Sequence, residues 1–82
     1  MITIYKIKHC TYCKRVEYWV NEHIPDEPIT WVIEPDMHDQ RKQTIAVSKQ
    51  AFVPTMKDDE NGTVIADDDE GIIEYLKHKF NK

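Results

Sequence analysis

Two cysteines separated by two residues are the groups in this sequence best suited to chemistry. Cys10 and Cys13 are the only cysteines among 82 residues, and they stand in the segment HCTYC. A disulfide that closes so short a loop removes little entropy from the unfolded chain, so stabilisation is a poor reason for the pair. The spacing favours thiol-disulfide exchange, in which the Cys10 thiolate attacks a disulfide and Cys13 then resolves the mixed disulfide.

The charges around this pair are unevenly distributed. Residues 1 to 15 contain four lysines and arginines and no acid, whereas residues 57 to 70 contain seven acids and one lysine. The cysteines therefore lie in the positive part of the chain, where neighbouring cations favour the thiolate that acts as nucleophile. The net charge of −4 argues against general nucleic-acid binding.

The cysteines fall where a strand gives way to a helix. Residues 2 to 7 are rich in strand-forming residues, and apolar side chains then recur at helical spacing at Val16, Trp19, Val20 and His23. This pattern places Cys10 and Cys13 on the first turn of the helix, where free N–H groups and the helix dipole also favour a thiolate. Residues 29 to 33 predict a second strand, which completes a βαβ unit.

The second half of the chain predicts four more elements. Residues 37 to 50 predict a helix that Asp36 or Asp39 caps, with a modest apolar face at 45 to 47. Residues 52 to 56 and 63 to 65 predict two strands, because Asn61-Gly62 between them is a strong hairpin signal. A last helix starts at residues 67 to 69. Its apolar face contains Ile72, Ile73, Leu76 and Phe80.

Composition bounds the kind of protein. With 40% hydrophobic and 32% charged residues, the chain is expected to form a single compact domain over residues 1–82. It contains neither a signal peptide nor a membrane span, so we expect a cytoplasmic monomer that binds neither membrane nor nucleic acid. Trp19 and Trp31 are expected in the core. A zinc site is disfavoured, because the chain has no second CxxC and no ligand-spaced histidine pair.

Three segments together resemble the glutaredoxins. They are HCTYC after the first strand, FVPT about forty residues later, and NGTVIADDDEGIIEYL near the end, and they keep the family's order and spacing. The chain is most similar to those glutaredoxins that resemble the N-terminal domain of glutathione transferases. The resemblance implies an α/β thioredoxin fold, with a four-stranded mixed sheet flanked by three helices in the order β-α-β-α-β-β-α.

The resemblance also implies a glutathione site. Pro54 is expected in cis facing Cys10, and the backbone of Val53 is expected to pair with the cysteinyl part of glutathione. Asp68 and Asp69 match the start of the last helix, which receives the γ-glutamyl end through N–H groups and one acidic side chain. Lys8 matches a basic residue beside the glycyl carboxylate. Tyr12 matches the aromatic residue that lines the groove.

Two departures from the family pattern stand beside these matches. Thr11 stands where most dithiol glutaredoxins have proline, and this change is expected to tune the redox potential and the stability of the thiolate. Ile65-Ala66 replaces the Gly-Gly that commonly precedes the acidic pair, which bears on the family's usual contacts with glutathione.

The resemblance implies a glutathione-dependent disulfide oxidoreductase with glutathione as co-substrate and no tightly bound cofactor. Its expected partners are disulfide-containing or glutathionylated proteins, with ribonucleotide reductase named by resemblance alone. Three alternatives stay open. The first is a carrier of a [2Fe–2S] cluster held by Cys10 and glutathione from two subunits. The second is a thioredoxin-like carrier reduced by a flavoprotein. The third is a binding module without catalysis.

Overall fold

A computed structural model describes residues 1–82 as a four-stranded mixed sheet with three α-helices. The strands are β1 (Ile2–Lys6), β2 (Ile29–Ile33), β3 (Thr55–Asp58) and β4 (Thr63–Ala66), and they lie in the order β2-β1-β3-β4. β1 pairs with β2 in parallel and with β3 antiparallel, and β4 completes an antiparallel hairpin with β3. Because β1 and β2 run in parallel, the residues that follow each of them meet at one edge of the sheet.

Helix α1 (Thr11–His23) begins directly after Cys10, as predicted. Its buried stripe contains Cys13, Val16 and Val20, and it continues to Ile24 beyond the helix. His23 was wrongly predicted on the apolar face. Its ring is exposed and stacks on Trp19, with ring centroids 4.8 Å apart, and its Nδ1 lies 3.0 Å from the Trp19 carbonyl oxygen.

The predicted helix over residues 37 to 50 is shorter and interrupted. A 3₁₀ turn (His38–Gln40) precedes α2 (Lys42–Ser48), and neither element has a side-chain cap, so the expected aspartate cap was wrong. Thr44 is the buried residue of α2, whereas Ile45 is 37% exposed. Polar contacts hold this region, because the buried Glu34 carboxylate accepts hydrogen bonds from the Thr44 N–H and hydroxyl, both at 2.9 Å.

The last three elements follow the prediction with one shift. β3 begins at Thr55, so Phe52, Val53 and Pro54 lie in the loop before the strand and not within it. Helix α3 (Asp69–Phe80) buries Ile72 and Leu76 against β1, β3 and α1. Trp19 and Trp31 are partly buried against the same core, as expected.

This order and pairing of elements form the α/β thioredoxin-like fold that the resemblance implies, so the predicted fold class is confirmed. The carboxyl end of β1, the loop before β3 and the amino ends of α1 and α3 meet at one end of the sheet. No helix is long and apolar enough to cross a membrane.

Candidate active site

Cys10 is the N-cap residue of α1. Its backbone is extended (φ −143°, ψ 113°), and its Sγ accepts a hydrogen bond from the Cys13 N–H at 3.1 Å. Its carbonyl accepts the first helical hydrogen bond, from the Lys14 N–H at 3.0 Å. The first-turn N–H groups of a helix carry partial positive charge, and the Cys10 sulfur lies beside them. Cys10 is also partly exposed, which leaves it accessible to a substrate.

Cys13 has the opposite environment. Its side chain is only 1% exposed, and burial raises the pKa of the thiol to about 12, with a further rise from its hydrogen bond to Cys10. The two thiols are free. One turn of helix therefore separates an accessible sulfur at the positive end of a dipole from a buried sulfur that keeps its proton.

The loop before β3 presents an unpaired stretch of backbone. The Val53–Pro54 peptide bond is cis, as the resemblance implies, and Pro54 is buried. Neither the N–H nor the carbonyl of Val53 bonds to any group of the chain, whereas the Pro54 carbonyl accepts from the Asp67 N–H at 3.0 Å. Free backbone groups beside a strand are suited to pairing with a peptide-like ligand.

Gln50 clamps the residue before Val53. Its Oε1 accepts from the Phe52 N–H at 2.8 Å, and its Nε2 donates to the Phe52 carbonyl at 3.2 Å and to the Thr55 hydroxyl at 3.1 Å. The Thr55 hydroxyl itself donates to the same carbonyl at 2.8 Å. Because both backbone groups of Phe52 are satisfied internally, Val53 is the residue of this loop with its peptide edge available.

A buried arginine holds the same loop from its other side. Arg41 is 4% exposed and donates to three backbone carbonyls, those of Pro35, Asp36 and Ala51, at 2.9, 2.6 and 3.0 Å. A guanidinium has five N–H donors in a rigid planar fork, which suits it to bridge several carbonyls at once. The segment after β2 is thereby tied to the segment that carries Val53.

The start of α3 gives its two candidate aspartates different surroundings. Asp68 is the N-cap, and its Oδ1 accepts from the Gly71 N–H at 2.9 Å. Asp69 is 15% exposed in its side chain, and its Oδ2 lies 3.0 Å from Arg15 Nη1 without a hydrogen bond directed at it. The Oδ2 atom of Asp69 is thus buried without a hydrogen bond, while the carboxylate of Asp68 is engaged in capping.

A cavity of about 130 Å³ lies between these elements. We call it the acidic groove, and four residues line it: Tyr12, Pro54, Asp67 and Asp69. Asp67 adopts a left-handed conformation (φ 54°), which aspartate tolerates better than most residues. The groove unites three of the predicted positions, Tyr12, Pro54 and Asp69, next to the helix that carries Cys10.

Lys8 lies elsewhere. It lines a larger cavity of about 210 Å³ on the flank of α1, which we call the lysine cavity. The lysine cavity is formed by Lys6, Lys8, Lys14, Glu17, Tyr18 and Asn21. The predicted role of Lys8 toward a glycyl carboxylate stays a prediction, because Lys8 is not among the residues of the acidic groove.

A cysteine pair at the start of α1, with a cis-proline loop before β3 and the start of α3 at the same end of the sheet, is the arrangement of a thioredoxin-like protein. The chain belongs to the family of glutathione S-transferase N-terminal domains, whose model matches residues 9–79. A similar solved structure is an epsilon-class glutathione S-transferase from the housefly, Musca domestica, with a TM-score of 0.77 and 20% identity. That match covers all of this chain and 36% of the housefly chain. No curated protein matches.

Sequence reasoning missed three residues around the groove. Asp67 was predicted at the start of the last helix, and its left-handed backbone directly after β4 has no clear signal in a run of acids. Arg15 approaches Asp69 across two helices, which no local pattern reveals. Gln50 stands in a segment predicted as helix, although a polar residue shortly before a Val-Pro pair marks a place to look for a loop contact.

Proposed function

We propose that this chain is a glutathione-dependent thiol-disulfide oxidoreductase that uses Cys10 as its nucleophile. The observation that carries the proposal is the N-cap geometry of Cys10, whose partly exposed sulfur accepts the Cys13 N–H at 3.1 Å. That hydrogen bond and the helix dipole stabilise the thiolate, which is the reactive form in disulfide exchange. Membership in the glutathione S-transferase N-terminal domain family supports glutathione as the thiol partner.

The reaction consists of two displacements. The Cys10 thiolate attacks the glutathione sulfur of a mixed disulfide, a bond forms between Cys10 and glutathione, and the substrate leaves as a thiolate that takes a proton from water. A second glutathione, as its thiolate, then attacks this new disulfide. Glutathione disulfide leaves and the Cys10 thiolate is restored, so in each cycle one substrate sulfur is reduced and the sulfur of the second glutathione is oxidised.

In the proposed complex, the acidic groove and the adjoining loop before β3 bind glutathione. The free backbone groups of Val53 pair with the cysteinyl unit, and the N–H groups at the start of α3 take the γ-glutamyl carboxylate. The incompletely satisfied carboxylate of Asp69 takes the ammonium group, because Asp68 is engaged as the N-cap. A cavity of about 130 Å³ fits the amino-acid end of glutathione, while the rest of the tripeptide lies along the loop.

The burial of Cys13 explains why glutathione resolves the intermediate. With a pKa of about 12, the Cys13 thiol holds its proton at neutral pH and is a poor nucleophile there. Burial, the largest cause of this shift, persists when Cys10 is in a mixed disulfide. Glutathionylated substrates are therefore processed by Cys10 alone, and Cys13 serves the slower reduction of protein disulfides.

The test is glutathione-coupled reduction of the mixed disulfide between glutathione and 2-mercaptoethanol, followed through glutathione reductase and NADPH. Cys10→Ser is expected to lower kcat/KM at least about a hundredfold, as loss of a nucleophile does, whereas Cys13→Ser stays within about threefold. Equal losses in both variants, or an inactive intact chain, contradict the proposal.

Two further arms separate the proposal from its rivals. Conjugation of glutathione to an electrophile such as 1-chloro-2,4-dinitrobenzene measures transferase activity, the activity for which the housefly protein is named. Turnover that requires a flavoprotein thioredoxin reductase and not glutathione indicates a thioredoxin-like carrier instead. Activity in either arm, together with no glutathione-coupled reduction, replaces the proposed function with that rival.

A further inference from the structure

The lysine cavity holds polar groups that the chain leaves without partners. Lys6 donates one hydrogen bond, to Glu17 at 2.6 Å, although an ammonium has three N–H donors. Lys8 and Lys14 form no ion pair. Three lysines face one carboxylate in this cavity, which leaves an excess of two positive charges.

The lysine cavity is closed at its base by Lys6 and at its side by Tyr18 and Asn21. The Lys6 side chain is 15% exposed, and its ammonium lies 5.9 Å from the centroid of the Trp31 ring, so the base is partly shielded from water. The Tyr18 hydroxyl and the Asn21 amide line the cavity and make no hydrogen bond within the chain. Partly desolvated positive charges surrounded by free donors favour an anion, and a carboxylate uses several donors at once.

The size and place of the cavity indicate what kind of anion it takes. A volume of about 210 Å³ lies below the range of about 300 to 1,000 Å³ of drug-sized ligand sites, so a side chain fits better than an extended cofactor. Lys14 lies one helical turn beyond Cys10, about 6 Å along the axis of α1. The acidic groove opens beside Tyr12, also next to Cys10.

We propose that the lysine cavity binds the carboxylate of an acidic residue in a protein substrate, next to the cysteine that Cys10 reduces. This inference rests on the proposed function, because it assigns glutathione to the acidic groove and the substrate polypeptide to the lysine cavity. An extended chain advances about 3.3 Å per residue, so the acidic residue lies within about three positions of the substrate cysteine. Acidic residues beside the substrate cysteine are attracted by the lysines of this cavity and repelled by the carboxylates of the acidic groove.

The test compares two glutathionylated peptides of equal length that differ at one residue, glutamate or lysine, two positions from the cysteine. We expect kcat/KM to favour the glutamate peptide about fivefold, equivalent to about 1 kcal/mol. The preference falls as salt is raised, because ions screen exposed charges. An intact chain that reduces both peptides equally well overturns the inference.

Lys14→Gln is expected to bring this ratio close to one. The ratio cancels any change in the nucleophilicity of Cys10, because both peptides react with the same thiolate. Lys82→Gln is the matched control, since Lys82 is exposed beyond the far end of α3 and the same charge is removed. A ratio that survives Lys14→Gln, or that falls equally in Lys82→Gln, overturns the inference.

Binding without turnover separates this inference from the proposed function. The glutamate peptide with serine in place of cysteine is titrated into the labelled chain, and amide shifts are followed by NMR. Shifts at Lys14, Tyr18 and Asn21 support the cavity even if the chain reduces no disulfide, and Asn21→Asp weakens them by adding a negative charge. The absence of these shifts, or shifts with inorganic phosphate alone, overturns the inference.

Discussion

The polar groups at the two ends of the sheet differ in whether they have hydrogen-bond partners within the chain. At one end, Asp58 is fully buried and accepts hydrogen bonds from the Tyr75 hydroxyl, from Lys79 at 2.9 Å and from the Glu60 N–H at 3.0 Å. At the other end, the backbone groups of Val53 and the Asp69 Oδ2 have no hydrogen-bond partner.

The end of the sheet with paired polar groups stabilises the fold, and the end with unpaired groups contains the candidate active site. The Asp58 network joins the β3–β4 hairpin to the last turns of α3, and each of its donors finds an acceptor in the chain. A buried polar atom without a hydrogen bond, such as the Asp69 Oδ2, destabilises a protein, so its presence beside the acidic groove needs another reason. The proposed binding of glutathione supplies such a reason, because a bound ligand would complete this hydrogen bond.

The largest expected effect lies at the paired end. Asp58→Asn replaces Oδ2, which accepts from the Tyr75 hydroxyl and from Lys79, with an NH2 group that cannot accept, and it removes the buried charge beside the Lys79 ammonium. The free energy of unfolding therefore falls by about 3 kcal/mol. Chemical denaturation measures this change. The control Asp59→Asn, at an exposed carboxylate 3.8 Å from Lys57, changes it by less than about 0.5 kcal/mol. Activity per folded molecule stays the same in both variants.

The pH dependence of the free energy of unfolding tests the role of Asp58 in the same way. Burial alone raises the pKa of Asp58, but hydrogen bonds from Tyr75, Lys79 and the Glu60 N–H outweigh it and lower the pKa to about 2. A lowered pKa means that the carboxylate stabilises the fold above about pH 4, and that this contribution is lost as the pH falls toward 2. In Asp58→Asn the free energy of unfolding therefore declines less steeply over this interval. Equal slopes in the two proteins contradict the assignment.

The second prediction concerns the unpaired end. Asp69→Asn is expected to raise the KM for glutathione about tenfold, because a charge-assisted hydrogen bond to the ammonium group contributes about 1.5 to 3 kcal/mol. Asp68→Asn is the matched control, since asparagine caps a helix as well as aspartate does. Steady-state kinetics with varied glutathione distinguishes the two residues. A larger effect at Asp68 reverses the assignment of the amine partner.

The third prediction tests the clamp behind Val53. Gln50→Leu keeps the size of the side chain but releases the Phe52 N–H, while the Thr55 hydroxyl still holds the Phe52 carbonyl. We therefore expect the KM for glutathione to rise about fivefold with kcat within about twofold. Gln43→Leu, on the exposed part of α2, is the control. The rate at which iodoacetamide alkylates Cys10 stays unchanged, because the clamp does not touch the thiol. A fall in kcat with constant KM contradicts a positioning role.

The difference between Cys10 and Gln50 shows what the sequence could reveal. Strand-to-helix spacing around HCTYC located Cys10 at the start of α1, because a helix start depends on residues close in the chain. The two strands on either side of Asn61-Gly62 were found for the same reason. The clamp of Gln50 joins side chains across an irregular loop, and the pairing of Arg15 with Asp69 joins two helices, so no periodicity announces either contact.

The shortened α2 shows the limit of propensity. Its apolar residues predicted a buried face, but Ile45 is 37% exposed and Thr44 is buried against Glu34. A buried carboxylate that satisfies a threonine N–H and hydroxyl is a tertiary contact over ten residues, and it overrides the weak amphipathic pattern of 45 to 47. The site could be predicted where its residues were adjacent in sequence and not where they converge from separate loops.

The smallest effect at neutral pH is expected at Cys13. With its pKa at about 12, the thiolate is rare at pH 7, so Cys13→Ser changes the reduction of a small glutathione mixed disulfide by less than about threefold. The thiolate fraction grows about tenfold per pH unit below the pKa. In a single-turnover experiment without free glutathione, Cys10 carries glutathione and Cys13 displaces it. This displacement is therefore expected to accelerate about a hundredfold between pH 7 and 9. A rate independent of pH over this interval shows that Cys13 is already ionised when Cys10 is in a mixed disulfide. In that case the buried Cys13 is as reactive as the exposed Cys10 in the resolving step, and the raised pKa of Cys13 does not explain why glutathione resolves the intermediate.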